Sequence, residues 1–191
     1  MTVDLFNQNE VKAEWLHPTE FPSMKGRDVV AIDLETCDTD LKKMGPGWPR
    51  KIGKVIGIAV SSGDFTAYYP IAHDGGGNMD SKVVLKYVKS ICEDESIQKV
   101  FHNAQYDIGW LSVLNIEVKG YIHDTMIAAA LLNENRYSFT LNSMVAEYLG
   151  EFKNESLLKA KAEELGIDPK AEMYKLPAEF VGEYAEADAR L

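Results

Sequence analysis

The sequence predicts an α/β fold in three layers, with a mixed central β-sheet flanked by α-helices. Three observations carry this. A short apolar run, DVVAIDL (28–34), has the length and composition of a buried strand. Two more strand-like runs follow, VIGIAVSS (55–62) and FTAYYPI (65–71), separated by the turn residues Gly63-Asp64, which makes them a hairpin. Beyond residue 80, short strands alternate with helical segments and then give way to helices alone, an order that suits helices layered on a sheet.

Taken in order, residues 1–27 read as an irregular lead-in broken by Pro18 and Pro22. The first strand ends in Asp33-Leu34-Glu35. Residues 37–54 form a long connection with Gly45, Pro46, Gly47 and Pro49, and HDGGGNMD (73–80) is a flexible loop. Ser81 is placed to cap a helix from Lys82 to about Cys92, since Val84, Leu85 and Val88 share one face. Lys99–His102 is a short strand, Asn103 opens a helix to about Leu114, and Gly120–His123 is another short extended piece. Helices follow at about 124–133, 139–149, 155–165 and 177–191, with Gly150 and Gly166 as stops.

Composition narrows the function classes. The 191 residues suffice for one domain with a core, at 46% apolar and 26% charged. No stretch is apolar enough to span a membrane, and MTVDLFNQNEVKAEW lacks the basic start and apolar core of a secretory signal, so a cytoplasmic location is expected. Cys37 and Cys92 show no metal spacing, and His17, His73, His102 and His123 never pair at zinc-ligand spacing. The net charge of −10 argues against a broad basic surface for nucleic acid. The charge is uneven, however: residues 42–54 carry Lys42, Lys43, Arg50, Lys51 and Lys54 with no acid, whereas the chain from Glu151 onward is acid-rich. Part of the negative charge could be carboxylate that a bound cation neutralises.

Three acidic motifs stand out. Asp33 and Glu35, at i and i+2 of a strand, project from one face while Leu34 points into the core. Two such acids repel unless a cation sits between them; alone, the pair also fits a solvated strand end. In HNAQYD (102–107), a strand runs into a helix with Asn103 as a natural N-cap, and Asp107 lies one turn in, where a carboxylate suits the helix dipole. That too could be only a capped helix. In YAEAD (184–188), Tyr184 and Asp188 share a helix face at i and i+4, although Glu179, Glu183 and Glu186 would fit a plain amphipathic helix.

Together and in this order, at spacings of about 70 and 80 residues, DxE, NxxYD and YxxxD resemble the three motifs of the DEDD exonucleases, in the tyrosine-bearing branch. DTM (124–126), AALL after it and TLNSMVAEYLG (140–150) extend the resemblance, which covers 28–191. It comes nearest to the proofreading domain of phage-type family A DNA polymerases, through GPGWPRKIGKVIGIAVSS and YPIAHDGGGNMD. The resemblance implies a ribonuclease H-like fold, and a metal-dependent 3′-5′ exonuclease that releases nucleoside 5′-monophosphates from single-stranded or frayed DNA 3′ ends. It implies two divalent cations, Mg²⁺ or Mn²⁺, on Asp33, Glu35, Asp107 and Asp188. Asp33 would be shared between the ions, and Asp107 would act on the second through water. Tyr184 would orient the attacking water with help from Glu35; a phenol titrating near 10 is a poor base at neutral pH. It implies a polymerase region in the parent protein, a phage or bacterial host cytoplasm, and a domain truncated at its last helix.

Substrate contacts are expected from Leu34, Thr36, Asn103 and Tyr106, with Leu41 or Met44 wedging against a base. Trp48 and its neighbouring cations suit a single strand, by stacking and by charge; the same loop also reads as a solvated surface with its tryptophan anchored on the body. Two other functions fit the chain: an RNA-processing exonuclease resembling ribonuclease D, whose first motif usually reads DTEF-like where this chain has DLETCD, and a non-catalytic nucleic-acid-binding or interaction module on the same fold.

Overall fold

The structure, a computed structural model, describes residues 11–191; the beginning of the expected lead-in, 1–10, lies outside the described residues. Its centre is a five-stranded sheet in the order β3-β2-β1-β4-β5. The strands are β1 (Val29–Cys37), β2 (Lys54–Ser62), β3 (Phe65–Pro70), β4 (Gln98–Phe101) and β5 (Ile122–Asp124). β2 and β3 form the expected hairpin, β1 pairs antiparallel with β2 to extend it into a meander, and β4 and β5 add in parallel on the other side of β1. The helices are α1 (Leu41–Met44), α2 (Ser81–Cys92), α3 (Ala104–Val113), α4 (Thr125–Leu132), α5 (Leu141–Tyr148), α6 (Ser156–Leu165) and α7 (Gly182–Arg190). None of the described helices is long and apolar enough to cross a membrane.

β1 shows how the sequence builds the layers. Val30, Ile32 and Leu34 point to one face, where they pack with Val84, Val88 and Ile91 of α2 and Trp110 and Leu111 of α3. The opposite face carries Ala59 and Tyr68, covered by Leu158 and Ala162 of α6 and by Val181, Ala185 and Ala189 around α7. Each Leu- or Ile-sized side chain buried this way contributes about 1.5–3 kcal/mol. Asp33 pairs across the ladder with Ala59, so the acid at that register faces α7.

Three boundaries differ from expectation. β1 does not stop near Leu34 but runs to Cys37, because a β-bulge lets two residues of β2 stand opposite one: Glu35 pairs with Gly57 and Thr36 with Val55, leaving Ile56 over. Asp33 and Glu35 therefore sit in mid-strand. The cap of α2 is Asp80 rather than Ser81; its carboxylate accepts from the Lys82 N–H at 2.8 Å. The expected last helix is a 3₁₀ turn, Ala178–Phe180, followed by α7. The connection between β1 and β2 holds α1 and a 3₁₀ turn at Trp48–Arg50.

Residues 11–28 contain no helix, yet their aromatic side chains dock on the body. Phe21 stacks on Tyr69 with centroids 5.1 Å apart. Trp15 lies flat over Gly182, where any β-carbon would strike the indole ring. Its Nε1 donates to Glu186 Oε1 at 3.0 Å, and the same oxygen accepts from the Tyr68 N–H at 3.1 Å. The lead-in thus clamps the helix that carries the third motif.

Candidate active site

Asp33 and Glu35 hold their spacing from the pleat of β1, and Asp188 reaches them from α7, which lies across β1, β2 and β3. Carboxylate oxygens of Asp33, Glu35 and Asp188 all lie within 4.8 Å of one another. Asp107 is buried at the first turn of α3, close enough to Asp33 and Glu35 for their charges to act on it. The cluster is thus made by three acids from two distant stretches of chain; Asp107, from a third, is not one of that group, and Tyr184 stands one turn from Asp188 on the same face of α7.

The floor under Glu35 is built tightly. Gly57, its ladder partner, leaves room for the Tyr68 ring, whose hydroxyl occupies the space a β-carbon would need. That hydroxyl meets His73 Nε2 at 2.7 Å, while His73 Nδ1 lies 3.0 Å from the Leu176 carbonyl. A carbonyl can only accept, so Nδ1 carries the proton and Nε2 accepts from Tyr68. Burial holds His73 down to about 4, so this link is neutral at physiological pH.

Acids this close resist ionising together. Removal from water, and then the Asp188 charge, push Asp33 up to about 7. Burial, and then Asp33 and Asp188, raise Glu35 well above the ordinary range. Asp107 is raised by burial, then by Asp33 and Glu35, against the Leu34 N–H that favours its anion. The nearby Lys153 and Lys170 ammoniums offset only part of this, and the all-oxygen donor set of the cluster is what hard divalent ions take. Tyr184 is buried, and its phenol is pushed far up by burial and then by Glu35 and Asp188, so it stays protonated at any physiological pH.

Two lysines that sequence reading did not single out enter this site. Lys153, almost wholly buried, forms an ion pair with Asp188. Its Nζ also lies 4.9 Å from the centroid of the Tyr184 ring. Lys170 Nζ donates to the Tyr184 hydroxyl at 2.7 Å. Both come from the segment after Glu151 that reads simply as acid-rich, and no spacing rule links them to the motifs.

The expected substrate-contacting residues separate into groups. Thr36 and Tyr106 share a hydrogen bond of 2.8 Å between Oγ1 and the hydroxyl, and the Tyr106 hydroxyl donates to Asp38 Oδ2 at 3.1 Å. Asp38 Oδ2 also accepts from the Gly47 N–H at 2.9 Å, so this acid, unnoticed in the sequence, ties the loop after β1 to α3. Asn103 holds the N-cap position of α3 but does not cap with its side chain; its φ of 71° is left-handed, and the side chain is exposed. Asp124 takes over that role. Its carboxylate accepts from the N–H groups of Asn103 and Ala104 at 3.1 and 2.8 Å, and from Met126 at the start of α4 at 2.9 Å.

Leu34 is 6% exposed, in the core on the face opposite the acids, so its side chain does not reach the cluster. Trp48 packs its indole on Gly109 of α3, with Nε1 buried, which is the anchored arrangement rather than a free stacking platform. Leu41 is 41% exposed on α1 and joins neither core.

The family model described as 3′-5′ exonuclease, of the DNA polymerase A type, matches residues 19–191. The chain is 39% identical over 187 residues to a DNA-directed DNA polymerase of Pseudomonas phage M6, covering 95% of this chain and 28% of that protein. It is 29% identical over 171 residues to DNA polymerase I of Pseudomonas aeruginosa, covering 85% of this chain and 17% of that protein. The chain thus spans well under a third of these curated relatives. Among solved structures, Trypanosoma brucei RNase D in a GMP complex superposes with a TM-score of 0.62 at 24% identity, covering 88% of this chain and 49% of that one. Brucella melitensis NrnC with bound Mg²⁺ gives 0.58 at 22% identity, covering 88% and 70%. These structural likenesses bear out the ribonuclease H-like α/β fold that the motifs implied.

Proposed function

This chain belongs to the 3′-5′ exonuclease family of A-type DNA polymerases, and on that premise we propose that it hydrolyses single-stranded or frayed DNA 3′ ends to nucleoside 5′-monophosphates, with two divalent cations, as the proofreading unit of a longer polymerase. The observation that carries the reading is the convergence of Asp33, Glu35 and Asp188 within 4.8 Å, with Asp107 and Tyr184 beside them. A binding module would have no use for so costly a concentration of carboxylates.

A pair of bound Mg²⁺ or Mn²⁺ ions would supply an acidified water and neutralise charge developing on the phosphate. Asp33, Glu35 and Asp188 would hold one ion, and Asp33 and Asp107 would serve the second. Glu35 and the protonated Tyr184 would orient the attacking water, a task of alignment rather than proton removal. Asn103, with its exposed side chain, and Tyr106 are proposed to touch the terminal nucleotides. Thr36 would act indirectly, by holding the Tyr106 hydroxyl.

The recessed acids require an unpaired end. A mismatch lowers the cost of fraying, which gives selectivity for errors without reading any base. The fold likeness to RNase D keeps RNA as the second candidate substrate. Digestion of 3′- and 5′-labelled single-stranded DNA, and of matched RNA, with and without Mg²⁺, separates the readings. Mononucleotide release from DNA 3′ ends that vanishes in Asp33→Ala supports proofreading chemistry. Release from RNA alone would move the assignment to RNA processing, and none from either would end the nuclease reading.

A further inference from the structure

Lys170 occupies a place that the four acids and Tyr184 do not explain. Its Nζ donates to the Tyr184 hydroxyl at 2.7 Å and to Glu155 Oε1 at 2.8 Å, and lies 3.9 Å from the Tyr184 ring centroid. Glu155 is itself well shielded, at 13% side-chain exposure, and its Oε2 pairs with Lys159 at 2.9 Å. Burial acts to raise Glu155, but Lys170 and Lys159 outweigh it and hold the carboxyl down to about 2, so it remains an anion. The result is a chain of partners running from Lys159 through Glu155 and Lys170 to Tyr184.

The direction of its last link follows from chemistry. An ammonium donates and never accepts. The phenol oxygen must therefore accept from Lys170, and its single hydrogen is free to be given only elsewhere, with Asp188 one turn along the same face of α7 as the acid of the cluster nearest in the chain. An exposed Lys–Glu pair alone would mean little, since such pairs contribute about 0–1 kcal/mol. Here the lysine has a second, buried partner that belongs to the reaction site. We propose that Lys170, held in place by Glu155, is a positioning residue that fixes Tyr184 as a hydrogen donor toward the acid cluster. A water between Tyr184 and the acids must then present its oxygen to the phenol and turn its own hydrogens to the carboxylates. Without the cation the phenol can rotate and accept instead, and that order is lost.

The inference rests on the assignment of Tyr184 to water positioning, and its test has an arm that needs no nuclease activity. The full chain is labelled with ¹³C at tyrosine Cζ, and the Tyr184 resonance is identified by its absence in Tyr184→Phe. It is expected to move in Lys170→Met, to move less in Glu155→Gln, and to return toward its original position in Lys170→Arg, which restores a cationic donor. In the kinetic arm, Lys170→Met should lower kcat about tenfold with KM changed less than about twofold, and should add less than about twofold in a Tyr184→Phe background. An unmoved Tyr184 resonance overturns the proposal. So does a loss of equal size without the Tyr184 hydroxyl, or a rise in KM at constant kcat, which would make Lys170 a phosphate contact. A wild-type chain without nuclease activity would sink the exonuclease reading, while the resonance would still decide the Lys170–Tyr184 link.

Discussion

Replacing Asp33 with asparagine should stabilise the metal-free protein while destroying its activity. The folded chain pushes the Asp33 carboxyl from an ordinary 3.8 to about 7. Each pH unit of that displacement is worth about 1.4 kcal/mol, so above pH 7 the ionised group costs the fold on the order of 4 kcal/mol. Relaxation and water entry around the group reduce this, and about 2 kcal/mol is the gain expected from Asp33→Asn. For a chain of this size that raises the thermal midpoint by roughly 4–8 °C. The pH dependence follows from the sign. A carboxyl whose folded value is raised keeps its proton in the folded state between about pH 4 and 7 while the unfolded chain has lost it, so stability drains away as pH climbs through that window. The gain from asparagine should therefore be full at pH 8 and nearly absent at pH 4, where the native carboxyl is neutral and costs nothing. Urea unfolding in the presence of a chelator at both pH values measures it. A variant no more stable than its parent at pH 8, or equally improved at both, would refute the account of the cluster as strained by its own charge.

Other expectations follow from the same geometry. Saturating Mn²⁺ should raise the melting temperature of the native chain more at pH 8 than at pH 6, because at the lower pH the ion must displace a proton from Asp33; thermal scans with and without metal read this directly. Asp188→Ala should abolish hydrolysis by about three orders of magnitude or more, whereas Tyr184→Phe should cost about tenfold to a hundredfold, since the first removes a cation ligand and the second an alignment; single-turnover rates compare them. Gly182→Ala forces the Trp15 indole off α7 and should cost about 1–3 kcal/mol of stability in denaturant unfolding, in the manner of an overpacked core. Trp48→Ala should destabilise by about 2 kcal/mol, yet leave the salt dependence of single-strand binding unchanged, because the indole is packed on Gly109 rather than offered to bases.

How far the sequence could be read depended on the range of the interactions involved. Asp33 and Glu35 are legible because Leu34 between them belongs to an apolar strand, and alternation alone then puts both acids on one face. Tyr184 and Asp188 are legible from helical spacing, and Asp107 from its place just past a strand. What stayed hidden was decided by tertiary contact. Asn103 has the right residue type for a cap, but its left-handed backbone turns the side chain away, and Asp124, more than twenty residues later, accepts from the helix instead. Trp48 among cations suggests stacking on nucleic acid until Gly109 is seen beneath it. Lys153 and Lys170 look like surface lysines in an acidic stretch, and nothing local tells that one pairs with Asp188 and the other with Tyr184.

Seating the first two acids in mid-strand governs which length changes the chain can survive. Neighbouring residues of β1 point to opposite sides, so one residue inserted or deleted between Val30 and Asp33 would turn Asp33 and Glu35 inward among the aliphatic side chains and bring Leu34 out among the remaining acids. A gain or loss of a single codon there would ruin stability and chemistry in one step. Lineages of this domain should therefore vary in length at the outlying loops and almost never within this strand.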